Sequence, residues 1–442
     1  MIDDPASVSA STATAIRPGP EGLADASGPA GSASEQSRLA LVRLVRDEGR
    51  RVLATLVRTT GSVPLAEDAV QDAIERALLA WPRDGLPANP RAWLTLTARR
   101  RAVDLIRREA TRDGKEAQAM VLLEPDDAAP PSVAVARDDL LRLVFTCCHP
   151  ALSVDAQVAL SLRTLCGLST GEVARALLVR EAAMVKRLTR TRQKIAQARI
   201  PYRIPSDVDL PDRVAAVAAT VYLMFNEGYL PAASDDPLRP DLADEAVRLG
   251  RLLRELLPAE PSVLGLLGLM LLQDARRDAR FDAEGELVLL PDQDRARWRA
   301  DLINEGVRLV GEGLRRSPDR PDPYVVQGAI AACHALAPSY SRTDWDAVLS
   351  WYDVLLTVHD TAVVRLNRAA ALAERDGPAA GLAAVDAITG LGDYPLWYAA
   401  RGELLARLGR VSAARADLRA ALDLPLGGAQ RRHLVRRLAD LV

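Results

Sequence analysis

Apolar residues return at intervals of three and four along most of this chain, and that spacing fixes the kind of element it can build. In LAEDAVQDAIERALLAW (65–81), Ala69, Val70, Ala73, Ile74, Ala77 and Leu78 fall on one stripe of a helix. The back half shows no convincing strand run. Val, Leu and Ala carry the apolar load and aromatics are only 4%; Ala and Leu favour helix. The expectation is an all-α chain. Its 442 residues exceed what one core organises and imply several domains.

Punctuation suggests where they divide. Residues 1–36, rich in Ala, Ser, Gly and Pro, read as a disordered tail. From Ser37, helical spacing runs through Leu41, Leu44, Val45, Val52 and Leu56 to a stop at Gly61. Pro64 suits the first turn of the 65–81 helix, and 82–88 reads as a loop. Asn89 then caps NPRAWLTLTARRRAVDLIRREA (89–110). The front helices make a first unit over 37–112, and residues 113–136 read as a flexible acidic linker.

A second unit spans 137–204. One helix ends near FTCCHPALS (145–153), Ser153 caps the next, and Gly167 stops it. Ser169 and Glu172 form an S-x-x-E capping box. A break at Val179–Arg180 leads into EAAMVKRLTRTRQKIAQAR (181–199). Residues 205–442 read as helical throughout. There, 364–388 can be laid on 398–422 at an offset of 34, with Leu372 on Ala406, Ala380 on Ala414 and Ala387 on Ala421. A 34-residue period is that of tetratricopeptide (TPR) helix pairs.

The cysteines invite a metal reading, but their spacing does not suit one. Cys147 and Cys148 are adjacent, so on a helix they point about 100° apart, and Cys166 sits on the last turn of another helix. Zinc pairs usually stand two to four residues apart. No metal is expected, and FTCCHPALS reads as a helix end, a turn and a new cap. Four cysteines in a long chain, no run of 18 uncharged apolar residues and no apolar leader lead to the expectation of a cytoplasmic protein without membrane contact.

Charge separates the halves. From residue 205 onward there are 28 Arg, no Lys and 35 acids, a net of −7; residues 1–204 hold 29 basic and 24 acidic residues, a net of +5. Ordinary surface charge or nucleic acid at one end would each produce this. The helix pair from Ser169 to Arg199 is more specific. A capped short helix, a tight break and a longer helix make a helix-turn-helix. Val173, Ala174 and Leu177 would face Met184, Leu188 and Ile195. The longer helix carries Lys186, Arg187, Arg190, Arg192, Lys194 and Arg199 against Glu181 alone. That suits major-groove reading, with a solvated basic face as the plainer alternative. Residues 91–112 hold Arg91, Arg99, Arg100, Arg101, Arg107, Arg108 and Arg112 against Asp104 and Glu109. Trp81 and Trp93 read as core. A linker of 24 residues could extend roughly 80 Å between two such DNA contacts.

EDAVQDAIERALLAW followed by RAWLTLTARRRAVDLIRR resembles region 2 of sigma-70 family factors of the extracytoplasmic-function (ECF) type, and LSTGEVARALLVREAAMVKRLTRTRQKI resembles their region 4. YLMFNEGY (222–229), DARRDARFDAEGELVLLPDQDRARW (274–298), AACHA (331–335) and LNRAAALAERDGPAAGL (366–382) resemble a subgroup with a long TPR-like helical extension. The resemblance implies two small helical sigma domains plus a C-terminal TPR-like helical-repeat domain. It implies that Glu67, Asp68, Gln71 and Asp72 meet the β′ clamp of bacterial core RNA polymerase. Arg99, Arg100, Arg101, Asp104, Arg107 and Arg108 would hold the melted −10 element of promoter DNA. Lys186, Arg187, Arg190 and Arg192 would read the −35 element, with region 4 docking on the β flap. No cofactor and no catalytic residue is implied. A regulatory protein on the C-terminal domain is a further expected partner.

Two rivals remain. An enzyme could use Asp274, Asp278, Asp282, Glu284 and Glu286 as metal ligands, or Glu227 of FNEGY as a catalytic acid, but the spacing does not fit a calcium loop. An autonomous helix-turn-helix regulator with a protein-binding back domain would leave AEDAVQD without a use.

Overall fold

The computed structural model describes residues 41, 44, 48–113, 133–177, 179–198, 200–229 and 240–441, without the side chains of 108–113, 133, 134, 136, 240 and 241. The expected tail (1–36) and most of the expected linker (113–136) lie outside these residues. The described residues are all-α, apart from 3-10 turns and one isolated bridge between Phe281 and Leu287.

Helix α1 (48–60) ends at Gly61, whose φ of +66° is the left-handed conformation that glycine adopts freely. Helix α2 (Val63–Asp84) is capped by Ser62, which accepts from the Leu65 N–H at 3.4 Å. It runs three residues beyond the expected end and contains Pro82. Trp81 is the reason. It is 2% exposed and packs edge-on against Trp93, with ring centroids 5.5 Å apart, so core contact holds the last turn despite the proline. Helix α3 (Pro90–Asp113) starts where expected, with the Ala92 N–H bonded to Asn89 Oδ1 at 3.0 Å.

Helix α4 (Val133–Cys147) begins inside the stretch read as linker. Val133–Ala136 simply prolong it, since adding a residue to an existing helix costs far less than starting one. Ser153 stands at the N-cap of α5 (Val154–Thr164), but its side chain makes no capping bond. The turn is held instead by Gln157 Nε2, which donates to the carbonyls of His149 (3.2 Å) and Leu152 (3.0 Å). The capping box at α6 (Thr170–Ala176) is formed in both directions. Helix α7 (Glu181–Gln197) follows, burying Met184, Leu188 and Thr191.

The back half joins the same core. Helices α8 (Leu210–Tyr229), α9 (Pro240–Leu256), α10 (Pro261–Asp274) and α11 (Ala300–Arg316) share one continuous apolar cluster with α1–α7. Helix α10 is buried all round, as its apolar sequence requires. A Cβ on Gly265 would lie 2.4 Å from the Val325 nitrogen, so α10 meets α12 (Pro323–Leu336) backbone to backbone through that glycine. Three arginines bridge the halves. Arg213 donates to the Phe145 carbonyl, Arg248 to Cys166 (2.7 Å), and Arg137 to Leu256 (3.1 Å).

The expectation of helix throughout the back half fails at 275–299, where 3-10 turns surround the Phe281–Leu287 bridge. Asp282 accepts from the N–H groups of Glu284 (3.2 Å) and Glu286 (2.7 Å), and local bonds of this kind compete with helix. Beyond it come α13 (Trp345–Val358), α14 (Ala362–Asp376), α15 (Pro378–Asp386), α16 (Pro395–Arg407), α17 (Val411–Leu422) and α18 (Gly428–Asp440). The two segments that align at an offset of 34 form the helix pairs α14–α15 and α16–α17. Their small residues, Ala369, Ala373, Ala414 and Ala421, sit in a second core. No helix among the described residues is long and apolar enough to cross a membrane.

Candidate nucleic-acid interface

On α3, Arg100, Asp104 and Arg107 are exposed and lie three to four residues apart, on one face. Arg99 and Arg101 are half-buried. Arg101 Nε stands 3.3 Å from Asp72 Oδ1, and Asp72 also pairs with Arg76 at 2.8 Å. Arg108 continues the helix, with its side chain outside the described residues. The exposed cations of α3 therefore present a ridge with one acid set into it.

The acidic and amide set of α2 divides. Asp68 and Gln71 face solvent, with Gln71 Nε2 donating to Glu75 at 3.3 Å. Asp72 is half-buried against the arginines just named. Glu67 points inward at 9% exposure, accepting from Thr164 Oγ1 at 3.1 Å and from the Arg192 guanidinium.

Helix α7 divides the same way. Lys186, Arg190 and Lys194 recur every four residues on the exposed side. Arg190 Nε approaches the Lys186 carbonyl at 3.4 Å. Arg187 is half-buried, 3.8 Å from Asp155. Arg192 is turned toward α2 and pairs with Glu67. Val173, Ala174, Met184 and Leu188 are buried together, with Leu177 and Ile195 packed against them. Arg199 lies outside the described residues. Glu67 of α2, Thr164 at the end of α5 and Arg192 of α7 thus form one knot, which joins a residue expected to meet polymerase with one expected to meet DNA.

Several residues of this arrangement were not anticipated. Thr164 is one. Asp139, fully buried, pairs with Arg58 and Arg142, both at 3.0 Å. Burial pushes its pKa up against the pull of both arginines. Tyr202 Oη lies within hydrogen-bond reach of the carbonyls of Ala54 (2.9 Å) and Asp139 (3.0 Å). A signal for Asp139 existed: it shares helical phase with Leu143 and Thr146, both buried.

Cys147, Cys148 and Cys166 are free and buried. Burial raises all three thiols, Cys148 to about 11, and Cys148 Sγ lies 3.5 Å from Ser161 Oγ. Three of the acids proposed as metal ligands in the 274–298 segment have structural partners. Asp274 accepts from Arg277 at 2.6 Å, Asp282 holds its own turn, and Glu286 pairs with Arg432 (2.7 Å) and Arg436 (2.8 Å) of α18.

Comparison with known proteins touches both halves of the chain. Residues 44–112, covering most of α1 through α3, match the family model for sigma-70 region 2. Residues 213–314, α8 through most of α11, match a family of unknown function, DUF6596. An uncharacterized protein of Rhizobium meliloti (strain 1021) is 41% identical over 397 residues, which span 88% of this chain and 93% of the relative.

Proposed function

We propose that this chain, whose residues 44–112 match sigma-70 region 2, is a sigma-70 family transcription initiation factor of the ECF type whose TPR-like back helices regulate it. The observation that carries this reading is the region 2 match over 44–112, coincident with the acid-bearing α2 and the arginine ridge of α3. In this reading Glu67, Asp68, Gln71 and Asp72 engage the β′ clamp of core polymerase. Arg99, Arg100, Arg101, Asp104, Arg107 and Arg108 retain the opened −10 strand through phosphate contacts and pocketing of bases. Helices α6 and α7 act as a helix-turn-helix, with Lys186, Arg187, Arg190 and Arg192 at the −35 element, while region 4 docks on the β flap. The work is done in the cytoplasm, where the polymerase supplies the chemistry.

The Glu67–Arg192 pair adds a requirement. While they hold one another, both oxygens of Glu67 are engaged and Arg192 is turned away from the exposed face of α7. The arrangement described here is then a resting one, and docking on polymerase exchanges that internal pair for two external ones. The back helices favour the resting form, because they extend the core beneath α4–α7 and clasp it through Arg213 and Arg248.

The test is transcription in vitro with core polymerase and this chain on a promoter library, with sequencing of transcript starts. RNA beginning at one defined class of sequence is expected. Random starts, or duplex binding that never requires polymerase, would replace this reading with an autonomous DNA-binding regulator.

A further inference from the structure

Helices α8, α10, α12, α13 and α14 and the 275–299 segment leave a cavity of about 380 Å³ between them. Small-molecule sites run roughly 300–1,000 Å³. Leu272, Ile330 and Leu355 supply apolar wall, while Arg276, Trp298 and His334 bring polar atoms into the lining, which holds no aspartate or glutamate. These polar groups lack partners. The indole N–H of Trp298 has none although the residue is only 9% exposed, and Nδ1 of His334 has none either. Arg276 makes no ion pair among the described residues. Arg295 stands behind the wall, donating to the carbonyls of His334 (2.7 Å) and Ala337 (2.8 Å) and lying 4.4 Å over the Trp298 ring.

A buried polar group left unmet costs about 1–3 kcal/mol, and this cavity holds two of them, the Trp298 N–H and His334 Nδ1, beside an unanswered cation. Burial first, and then the charges of Arg276 and Arg295, keep the His334 ring neutral. Only one guanidinium lines the space, and its planar fork matches a single carboxylate. The size admits a small molecule rather than a folded partner. We infer that this cavity binds a small organic monocarboxylic acid, its carboxylate held by Arg276 and the Trp298 N–H and its apolar body laid against Leu272, Ile330 and Leu355. Trp298 and α10 belong to the segment matched over 213–314, while α12–α14 lie beyond it, so a bound acid bridges the two parts of the back half. Nothing in this depends on the transcription reading, because binding is measured on the chain alone.

The test is calorimetric titration of the full chain with 2-naphthoate and with its neutral amide, 2-naphthamide, near neutral pH. The acid should saturate one site with Kd below about 1 mM, and the amide should bind at least about tenfold more weakly. Arg276→Gln should erase that preference, Arg276→Lys should retain part of it, and Trp298→Phe should weaken the acid several-fold. Equal binding of acid and amide, a Kd for the acid above about 1 mM, or a preference surviving in Arg276→Gln would each overturn the inference. If Arg276→Gln does not fold, Trp298→Phe and the acid–amide contrast on the native chain decide it.

Discussion

The cations of the front half and the cation of the back-half cavity are handled in opposite ways. In the front half Arg101 answers to Asp72, Arg187 to Asp155, Arg192 to Glu67, and Arg58 and Arg142 to Asp139. Around the cavity of the back half, Arg276 faces no acid among the described residues. A half-buried cation with an internal partner can be released by rearrangement, and its partner then becomes available as well. A cation without one is ready for a partner from outside. The front half is thus built to change its contacts, and the cavity to be filled.

The largest effect should come from Asp139→Ala. It removes two charged hydrogen bonds at a fully buried carboxylate, each worth about 1.5–3 kcal/mol, although the two arginines themselves still reach solvent. Urea unfolding of the full chain measures it; a loss under about 0.5 kcal/mol would mean that the front-half pairs are incidental. Glu67→Gln comes next, removing a charged hydrogen bond worth about 1–3 kcal/mol. In the absence of polymerase this variant should bind −35 duplex DNA more tightly than the native chain, because Arg192 is released. Weaker or unchanged binding would leave the pair without a gating role.

Arg190→Ala keeps the knot intact and tests the exposed face by itself. It should weaken −35 recognition by about 1–3 kcal/mol and relax preference at one base position, whereas Lys194→Ala should only lower the salt slope by about 1. Promoter preference untouched by Arg190→Ala would detach α7 from base reading. The smallest effect concerns His334. Burial, then Arg276 and Arg295, hold its pKa down at about 4, against about 6.5 in an unfolded chain. The unfolded state therefore takes up the proton first, and stability falls as pH drops from about 6.5 toward 4. His334→Gln should flatten that part of a thermal-melting pH profile; an unaltered slope would place the positive field elsewhere.

Much of the framework could be read from the residues. The starts of α3 and α6, the stop at Gly61 and the turn after Cys147 depend on local chemistry, which sequence displays directly. The pairing of the 364–388 and 398–422 segments was visible for the same reason. What escaped was set by distant contacts. Trp81 extends α2 through Pro82 only because Trp93 lies beside it. Lys186 and Arg190 look like Arg192 in composition, but a carboxylate 125 positions away removes Arg192 from the exposed set. The opposed charges of the halves did not reveal how they meet: among the described residues the contact is apolar core with arginine-to-carbonyl bonds and a Thr220-to-Gln157 hydrogen bond. The cavity had no sequence signal, since its lining comes from five helices and an irregular segment.

Opening of the front half is most directly measured as a distance. Spin labels at Leu79 on α2, 73% exposed, and Gln193 on α7 would report it in the full chain, alone and bound to core polymerase. One short distance in the free chain, replaced by a distinctly longer one in a complex that starts RNA, is the predicted result. A transcribing complex that keeps the short distance would contradict it, because Glu67 and Arg192 would then still hold each other while promoter DNA was being read.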